Sequence, residues 1–181
     1  MKIVKNKLLQ PSYDVESAGE KELSEYIRKV SYWIGNFVIE FNNLDDAVAN
    51  LLGLHINGSD VRGYEYIFLS GMTFNQKVEL LERLFKYGSN FVPPHSPASS
   101  SAEKKIKIIS ELKDIAKIRN TVAHSNYYSL DKNGNVKEKT RFSESDAEEH
   151  WIAITRDFLV ENINHIIDLT QEIEDIDEVI F

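Results

Sequence analysis

Cysteine is absent from this 181-residue sequence. Its absence excludes disulfides, thiolate metal ligands and a cysteine nucleophile, and it is typical of cytoplasmic proteins. No apolar run approaches the roughly 18 residues that a membrane-spanning helix needs. Residues 1–14 contain three lysines but lack the apolar core of a signal peptide. We therefore expect a cytoplasmic protein with no membrane partner, folded as one helical domain over residues 1–181.

Several common catalytic and cofactor motifs are also missing. The five histidines show neither the H-x3-H nor the H-E-x-x-H spacing of a zinc site, and no G-x-G-x-x-G, P-loop or G-x-S-x-G pattern occurs. Asp45 and Asp46 are adjacent, so on a helix their side chains point about 100° apart and do not form a catalytic carboxylate pair. The sequence predicts neither a metal site nor a cofactor.

Positive charge is scarce at one end of the chain. The net charge is −8, but residues 143–181 contain twelve acidic residues and only one basic residue. Residues 1–142 contain 20 basic and 17 acidic residues. This balance excludes a strongly electrostatic nucleic-acid binder, but it leaves room for a local contact with a phosphate backbone.

Apolar residues recur at steps of three and four, which is the pattern of amphipathic helices. We expect helices over about 17–53, 73–88 and 101–124 and from 143 onward, with a short apolar helix at 61–69. The predicted fold class is all-α, an up-and-down bundle of four main helices plus the short one.

The connecting segments have their own signals. Thr73 and Gln76 form a capping-box pattern at the start of the second main helix. Three of the four prolines lie in residues 88–101, which predicts a flexible loop. Asn133-Gly134 lies between short alternating runs and predicts a small β-hairpin over residues 127–141. We expect the first 15 or so residues and the last six or so to be loose.

One charged residue interrupts the apolar face of the helix over 101–124. At about 100° per residue, that face collects the following apolar residues: Ile108, Ile109, Leu112, Ile115, Ala116, Val122 and Ala123. Arg119 falls close to the centre of the same face. An arginine there forms a structural salt bridge, lines a cleft or faces a partner chain, because an unpaired buried guanidinium is very costly. Asp45, at the edge of the first helix's apolar face, is a candidate partner.

A histidine follows Arg119 at the end of this helix. His124 lies five residues later, which is about 140° around an ideal helix and about 7.5 Å along it, whereas Asn120 and His124 share a face. A lone histidine at a helix C-terminus is typical of a capping or dipole contact. Together the three side chains offer a permanent cation, a neutral hydrogen-bonding group and a group that titrates near pH 7. Attack of an RNA 2′-hydroxyl on its neighbouring phosphate needs such a base, acid and cation.

Residues 119–124, Arg-Asn-Thr-Val-Ala-His, resemble the R-N-x-x-x-H form of the R-x4-6-H motif of the HEPN superfamily. The surrounding sequence is similar too, since a long first helix, a later helix that opens with residues 74–81 and a long closing helix accompany the motif. The likeness covers most of residues 30–175.

The resemblance implies a metal-independent endoribonuclease that acts as a homodimer, with paired motifs facing one cleft and products that end in a 2′,3′-cyclic phosphate. It implies a role in toxin activity, phage defence or RNA processing, with an antitoxin or defence-system partner. Arg119 would contact the scissile phosphate, His124 would act as general base or acid, and Asn120 would orient the substrate or His124.

Four further residues are candidates for supporting or substrate-binding roles, and they are Asp45, Lys117, Ser125 and Tyr127. In one branch of the superfamily a tyrosine stands two residues after the histidine, but here Asn126 occupies that position. The superfamily also includes non-catalytic members. The alternative function is therefore a non-catalytic HEPN-like dimeric interaction module, in which Arg119 forms an ion pair in the interface or the core.

Residues 103–119 leading to the motif contain six basic and three acidic residues. A basic helix of this kind guides a phosphate backbone or is a solvated face with ordinary i,i+4 pairs. The acidic residues near the C-terminus are a frayed helix end or an element that shields the basic helix.

Overall fold

Helices account for most of the residues that the computed structural model describes, namely 3–7, 18–57, 68–88, 99–137 and 148–179. The helices with full bounds are α1 (Glu20–Asn57), α2 (Phe74–Gly88), α3 (Ser99–His124) and α4 (Arg156–Val179). Residues 68–70 are also helical. The strands are β1 (Ile3–Lys7), β2 (Asn126–Leu130), β3 (Val136–Lys137) and β4 (Glu148–Ile152). The predicted all-α class is confirmed, with a small antiparallel sheet added to it.

The start of α2 is fixed by the predicted capping box. The backbone N–H of Thr73 donates to Gln76 Oε1 at 2.8 Å, and the N–H of Gln76 donates to Thr73 Oγ1 at 3.4 Å. These reciprocal bonds satisfy backbone donors that the first helical turn leaves without intrahelical partners. The helix ends at Gly88, as its sequence predicts.

The predicted hairpin is also present. β2 and β3 pair antiparallel, and Gly134 in the connection has φ 79°, a left-handed value that favours glycine. The carboxylate of Asp131 accepts hydrogen bonds from the N–H groups of Asn133 and Asn135, both at 2.8 Å. A short polar side chain that binds the backbone two residues on is the usual means of stabilising such a turn. Residues 138–141 of the predicted hairpin lie outside the described residues.

The sheet is larger than a hairpin, and here one prediction was wrong. Its strand order is β1-β4-β3-β2, with β1 and β4 antiparallel. The sequence predicted a helix from Ser143 onward, but residues 148–152 form β4, and α4 begins only at Arg156. Pairing with β1 on one side and β3 on the other satisfies the backbone of β4, and such long-range pairing overrides local helical periodicity. The side chain of Thr155 then accepts a hydrogen bond from the N–H of Phe158 at 3.1 Å and caps the helix.

Several segment boundaries also differ from those expected. β1 occupies residues 3–7, within the N-terminal segment expected to be loose. The helix predicted from about residue 101 begins at Ser99, and residues 89–98 of the predicted loop lie outside the described residues. At the C-terminus, α4 continues to Val179.

The contacts divide the chain into two compact units. The first unit comprises Met1–Val38 with Ile118–Asn162, and the second comprises Ile39–Lys117 with Ile163–Phe181. Large buried side chains of the first unit include Phe37, Val122, Leu130, Val136, Ile152, Ile154 and Leu159. Those of the second include Leu44, Leu51, Leu52, Leu81, Ile108, Leu112, Ile115 and Ile166. Of the helices in the described ranges, none combines the length and apolarity that crossing a membrane demands.

Two glycines give opposite expectations for stability. A methyl group at Gly35, inside α1, would meet no atom within 4 Å, so Gly35→Ala should raise the free energy of unfolding by about 0.5–1 kcal/mol. Gly134→Ala also meets open space, but its positive φ should make the substitution cost about 1 kcal/mol. Urea unfolding of the two variants beside the wild type measures both changes. Equal effects of the two substitutions would contradict the turn assignment.

Candidate functional site

The end of α3 carries all three residues of the predicted catalytic set on its solvent-exposed side. Arg119, Asn120 and His124 are exposed. Thr121 and Val122, which lie between them, and Ser125, which follows His124, are buried. The N–H of Ser125 donates to the carbonyl of Thr121 at 3.0 Å. Because this is the i to i−4 bond of an α-helix, α3 stays regular to its last residue.

That regularity fixes the directions of the two ionisable side chains. Over five helical residues Arg119 and His124 are separated by about 140° around the axis and about 7.5 Å along it. They therefore lie at opposite edges of the exposed side, with Asn120 and Ala123 between them. The sequence left open whether the helix distorts before His124, and the hydrogen bond from the N–H of Ser125 to the carbonyl of Thr121 shows that it does not.

The prediction that Arg119 lies at the centre of an apolar face was wrong. Leu112 is seven residues earlier and points within about 20° of Arg119 on an ideal helix, yet Leu112 is fully buried and Arg119 is exposed. The buried side is therefore not continuous along α3. In the part of α3 that belongs to the first unit, the inward side is formed by Thr121, Val122 and Ser125, and Arg119 is left in solvent.

Arg119 and Asn120 form one polar group on this surface. Arg119 Nη1 donates a hydrogen bond to Asn120 Oδ1 at 3.2 Å. The bond orients the amide so that its NH2 donors remain directed away from the guanidinium. A guanidinium and an amide held side by side offer several N–H donors to an incoming phosphate, which is the geometry that arginine brings to phosphate recognition.

Two predicted supporting residues lie on the inner side of the same helix end. The hydroxyl of Tyr127 donates to the carbonyl of Val122 at 2.6 Å, and Ser125 Oγ donates to the carbonyl of Thr121 at 2.8 Å. Both carbonyls belong to the last four residues of α3, where backbone donors are scarce, and the carbonyl of Thr121 also accepts the N–H of Ser125. Ser125 is 9% exposed and Tyr127 is half-buried, so the structure gives them an anchoring position and keeps them out of the exposed side.

A second half-buried tyrosine, Tyr26 on α1, was not anticipated from the sequence. Its hydroxyl donates to the carbonyl of Ile154 at 2.9 Å, just before α4. Burial raises the pKa of Tyr26 above the usual value of about 10. The pKa of Tyr127 is also raised, mainly by burial and to a smaller extent by the electrostatic effect of the nearby Tyr26. No sequence motif identifies Tyr26, because its hydrogen-bond partner is 128 residues away in the sequence and no local pattern depends on that contact.

The other two predicted supporting residues have ion-pair partners in the second unit. The carboxylate of Asp45 lies 2.7 Å from Lys77 Nζ, and the side chain of Lys77 is only 7% exposed. Asp45 thus neutralises a buried lysine, whereas the sequence suggested it as a candidate partner of Arg119. Lys117 Nζ lies 2.8 Å from the carboxylate of Asp114, and both side chains are exposed. A surface pair of this kind contributes little to stability.

The basic stretch of α3 that precedes the motif is largely paired with carboxylates. Lys113 Nζ lies 2.7 Å from Glu82, and Lys107 Nζ lies 3.5 Å from Glu111 and 3.8 Å from Glu172. These contacts favour the interpretation of this stretch as a solvated face with ordinary ion pairs.

The second unit also contains an acidic groove of about 360 Å³. Its charged lining residues are Glu40, Asp46 and Glu174, from α1 and α4, and its other lining groups include asparagine, glutamine and threonine side chains. The sequence did not single out this groove, because its lining residues are spread over two helices. Three carboxylates repel a phosphate backbone, so this surface is unsuited to nucleic acid.

Comparisons of this chain with protein-family models, with curated proteins and with solved structures find no match. The resemblance to the HEPN superfamily therefore rests on the motif and its sequence context. Across the described parts of the chain, no group of three or more histidine or carboxylate side chains is placed to hold a metal ion.

The half-buried tyrosines predict a loss of stability at alkaline pH. Above about pH 10 an unfolded tyrosine ionises, whereas the half-buried Tyr26 and Tyr127 stay protonated because their pKa values are raised. The unfolded state then binds fewer protons, and the free energy of unfolding falls as the pH rises. Urea unfolding at pH values from about 8 to 11 measures this slope. Tyr26→Phe should flatten it, and Tyr32→Phe, at an exposed position, controls for the substitution. An equally steep slope in Tyr26→Phe would contradict the assignment.

Proposed function

We propose that this chain is a metal-independent endoribonuclease of the HEPN type, which cleaves RNA through its 2′-hydroxyl and acts as a homodimer. The observation that carries the proposal is the exposure of Arg119, Asn120 and His124 together on the last two turns of a regular helix. A general acid–base group, a permanent cation and an orienting amide are then available to one RNA strand.

The proposed reaction needs two proton transfers and one charge neutralisation. The neutral imidazole of His124 accepts the proton of the 2′-hydroxyl while that oxygen attacks the adjacent phosphorus. The bond from phosphorus to the 5′-oxygen breaks, and the imidazole, now protonated, donates that proton to the 5′-oxygen. The products are a 2′,3′-cyclic phosphate and a free 5′-hydroxyl. The guanidinium of Arg119 stabilises the negative charge that develops on the phosphoryl oxygens.

The geometry of α3 supports a composite site made by two copies. Arg119 and His124 diverge by about 140° on one helix, so one motif cannot readily direct both groups at the same phosphate. A two-fold axis beside the exposed side of α3 would bring Arg119 of one copy towards His124 of the other.

Local charge agrees with an RNA substrate despite the net charge of −8. Residues 118–137 contain three basic residues, Arg119, Lys132 and Lys137, and one acidic residue, Asp131. Asp131 is 8% exposed, and its oxygens accept hydrogen bonds within the hairpin. Within residues 118–137, the exposed side chains therefore carry little negative charge that would repel phosphate. The proposed setting is cytoplasmic, in toxin activity, phage defence or RNA processing, where an antitoxin or defence-system partner restrains the enzyme.

The alternative is a non-catalytic dimeric interaction module of the same type. One observation favours it, because Lys107 and Lys113, which precede the motif on α3, are already paired with carboxylates. In this alternative Arg119 contributes an ion pair to the interface between copies. The exposure of Arg119 argues against the version in which it forms an ion pair in the core.

Removal of either ionisable group should separate the two functions. In the enzyme, Arg119→Ala and His124→Ala should each lower the rate of RNA cleavage in the presence of EDTA by at least about 100-fold. Because both side chains are exposed, the free energy of unfolding should change by no more than about 0.5 kcal/mol. Cleavage of a mixed RNA pool, end-group analysis of the products and thermal unfolding make the comparison.

Two residues outside the motif serve as matched controls. Arg28 is an exposed arginine on α1, and His165 is a half-buried histidine on α4, so Arg28→Ala and His165→Ala should cleave RNA like the wild type. Loss of the dimer in Arg119→Ala, with no cleavage by the folded wild type, would support the interaction module and contradict the enzyme.

A further inference from the structure

We infer that the ribbon formed by β2, its turn and β3 (Asn126–Lys137) is a binding subsite for unpaired RNA, with the ring of Tyr128 as a stacking surface for a base beside the cleaved bond. The inference rests on the proposed ribonuclease function, and it names the class of RNA that the same site would take. Three features of the ribbon support it, and they are the exposure of Tyr128, the way in which the strand is held, and the distribution of charge.

Tyr128 is the most exposed aromatic side chain among the large hydrophobic residues of the described chain, at 78%. Its neighbour Tyr127 is half-buried and donates its hydroxyl to the carbonyl of Val122 on α3. Because successive side chains of a strand point to opposite faces, anchoring Tyr127 inward directs Tyr128 outward. Tyr127 thus fixes the strand to the helix, whereas Tyr128 presents its ring to solvent.

The backbone that carries Tyr128 is held close to the motif. Asn126 Oδ1 accepts a hydrogen bond from the N–H of Tyr128 at 3.2 Å, and Asn126 Nδ2 donates to Ser129 Oγ at 2.9 Å. The strand begins only two residues after His124. Four residues span at most about 14 Å, so the backbone at Tyr128 lies within about that distance of the backbone at His124.

The charge of the ribbon suits a nucleic-acid strand. Asp131, its one acidic residue, turns its carboxylate inward to three hydrogen bonds with Asn133 and Asn135, all at 2.8 Å. The outward residues then include an aromatic ring, amides and Lys132, which is exposed. An aromatic platform flanked by cations and amides is the combination that binds single strands, because every base has a face that can stack.

This arrangement selects unpaired RNA over duplex RNA. Bases inside a duplex are stacked on their neighbours, and a side chain cannot insert its ring against them without opening the helix. Single-stranded loops and ends present free base faces. We therefore expect Tyr128 to contribute to the binding of single strands and to contribute nothing to the binding of a duplex.

Binding should be measured in the His124→Ala background, where the RNA stays intact, with a labelled oligouridine as the single strand and the same oligouridine annealed to oligoadenosine as the duplex. Tyr128→Ala should weaken oligouridine binding by about 5- to 150-fold, the loss expected for one base–aromatic stack. Tyr128→Phe keeps the ring and should bind like its parent. Tyr32→Ala removes another exposed tyrosine, 65% exposed on α1, and should also bind like its parent.

The outcomes separate the subsite from the enzyme. If Tyr128→Ala binds oligouridine like its parent while the wild type cleaves RNA, the subsite is wrong and the ribonuclease stands. If no variant binds oligouridine and the wild type does not cleave, both proposals are overturned. A change in the sedimentation of Tyr128→Ala would show that the ring lies in an interface between copies, which also overturns the subsite. Equal losses for single-stranded and duplex RNA would contradict recognition by stacking.

Discussion

Unbroken α-helical hydrogen bonding to the end of α3 is the constraint on which the candidate site depends. The bond from Ser125 N to the carbonyl of Thr121 keeps the helix regular through His124. Hydrogen bonds from Tyr127 and Ser125 to carbonyls of the last turns hold that end from the inner side. The side chains on the opposite side of this helix end therefore face solvent. Arg119, Asn120 and His124 are exposed because of how their neighbours are buried.

The same regularity creates the main chemical problem of the site and suggests its solution. A helix with 3.6 residues per turn separates residues five apart by about 140°, which is poor geometry for two groups that must meet at one phosphate. Distortion of the helix would solve the problem within one chain, but the hydrogen bonds exclude it. In the proposed homodimer, symmetry would solve it between two chains, because a two-fold axis repeats both groups in opposite order. The division of α3 into buried and exposed sides is therefore the reason for proposing a site shared by two copies.

The sequence predicted most local features correctly, since they depend on residues close together in the chain. The capping box at Thr73, the end of α2 at Gly88 and the turn at Gly134 are examples. Features set by distant partners were missed. Residues 148–152 form a strand because β1 and β3 pair with them, and the hydroxyl of Tyr26 bonds the carbonyl of Ile154 across 128 residues of sequence. The placement of Arg119 failed for a related reason, because helical periodicity assumes one continuous buried side, whereas α3 contributes to two units with different buried sides.

The most direct test of the composite site is complementation between Arg119→Ala and His124→Ala. Each variant alone lacks one essential group, whereas a mixed dimer contains one site with Arg119 from one copy and His124 from the other. Random exchange makes half of the dimers mixed, so the account predicts recovery of about a quarter of the wild-type cleavage rate after mixing. The mixture should be measured after exchange has reached equilibrium, with EDTA present and each variant alone as the baseline. No recovery, from variants shown to form mixed dimers, would contradict a site shared between copies.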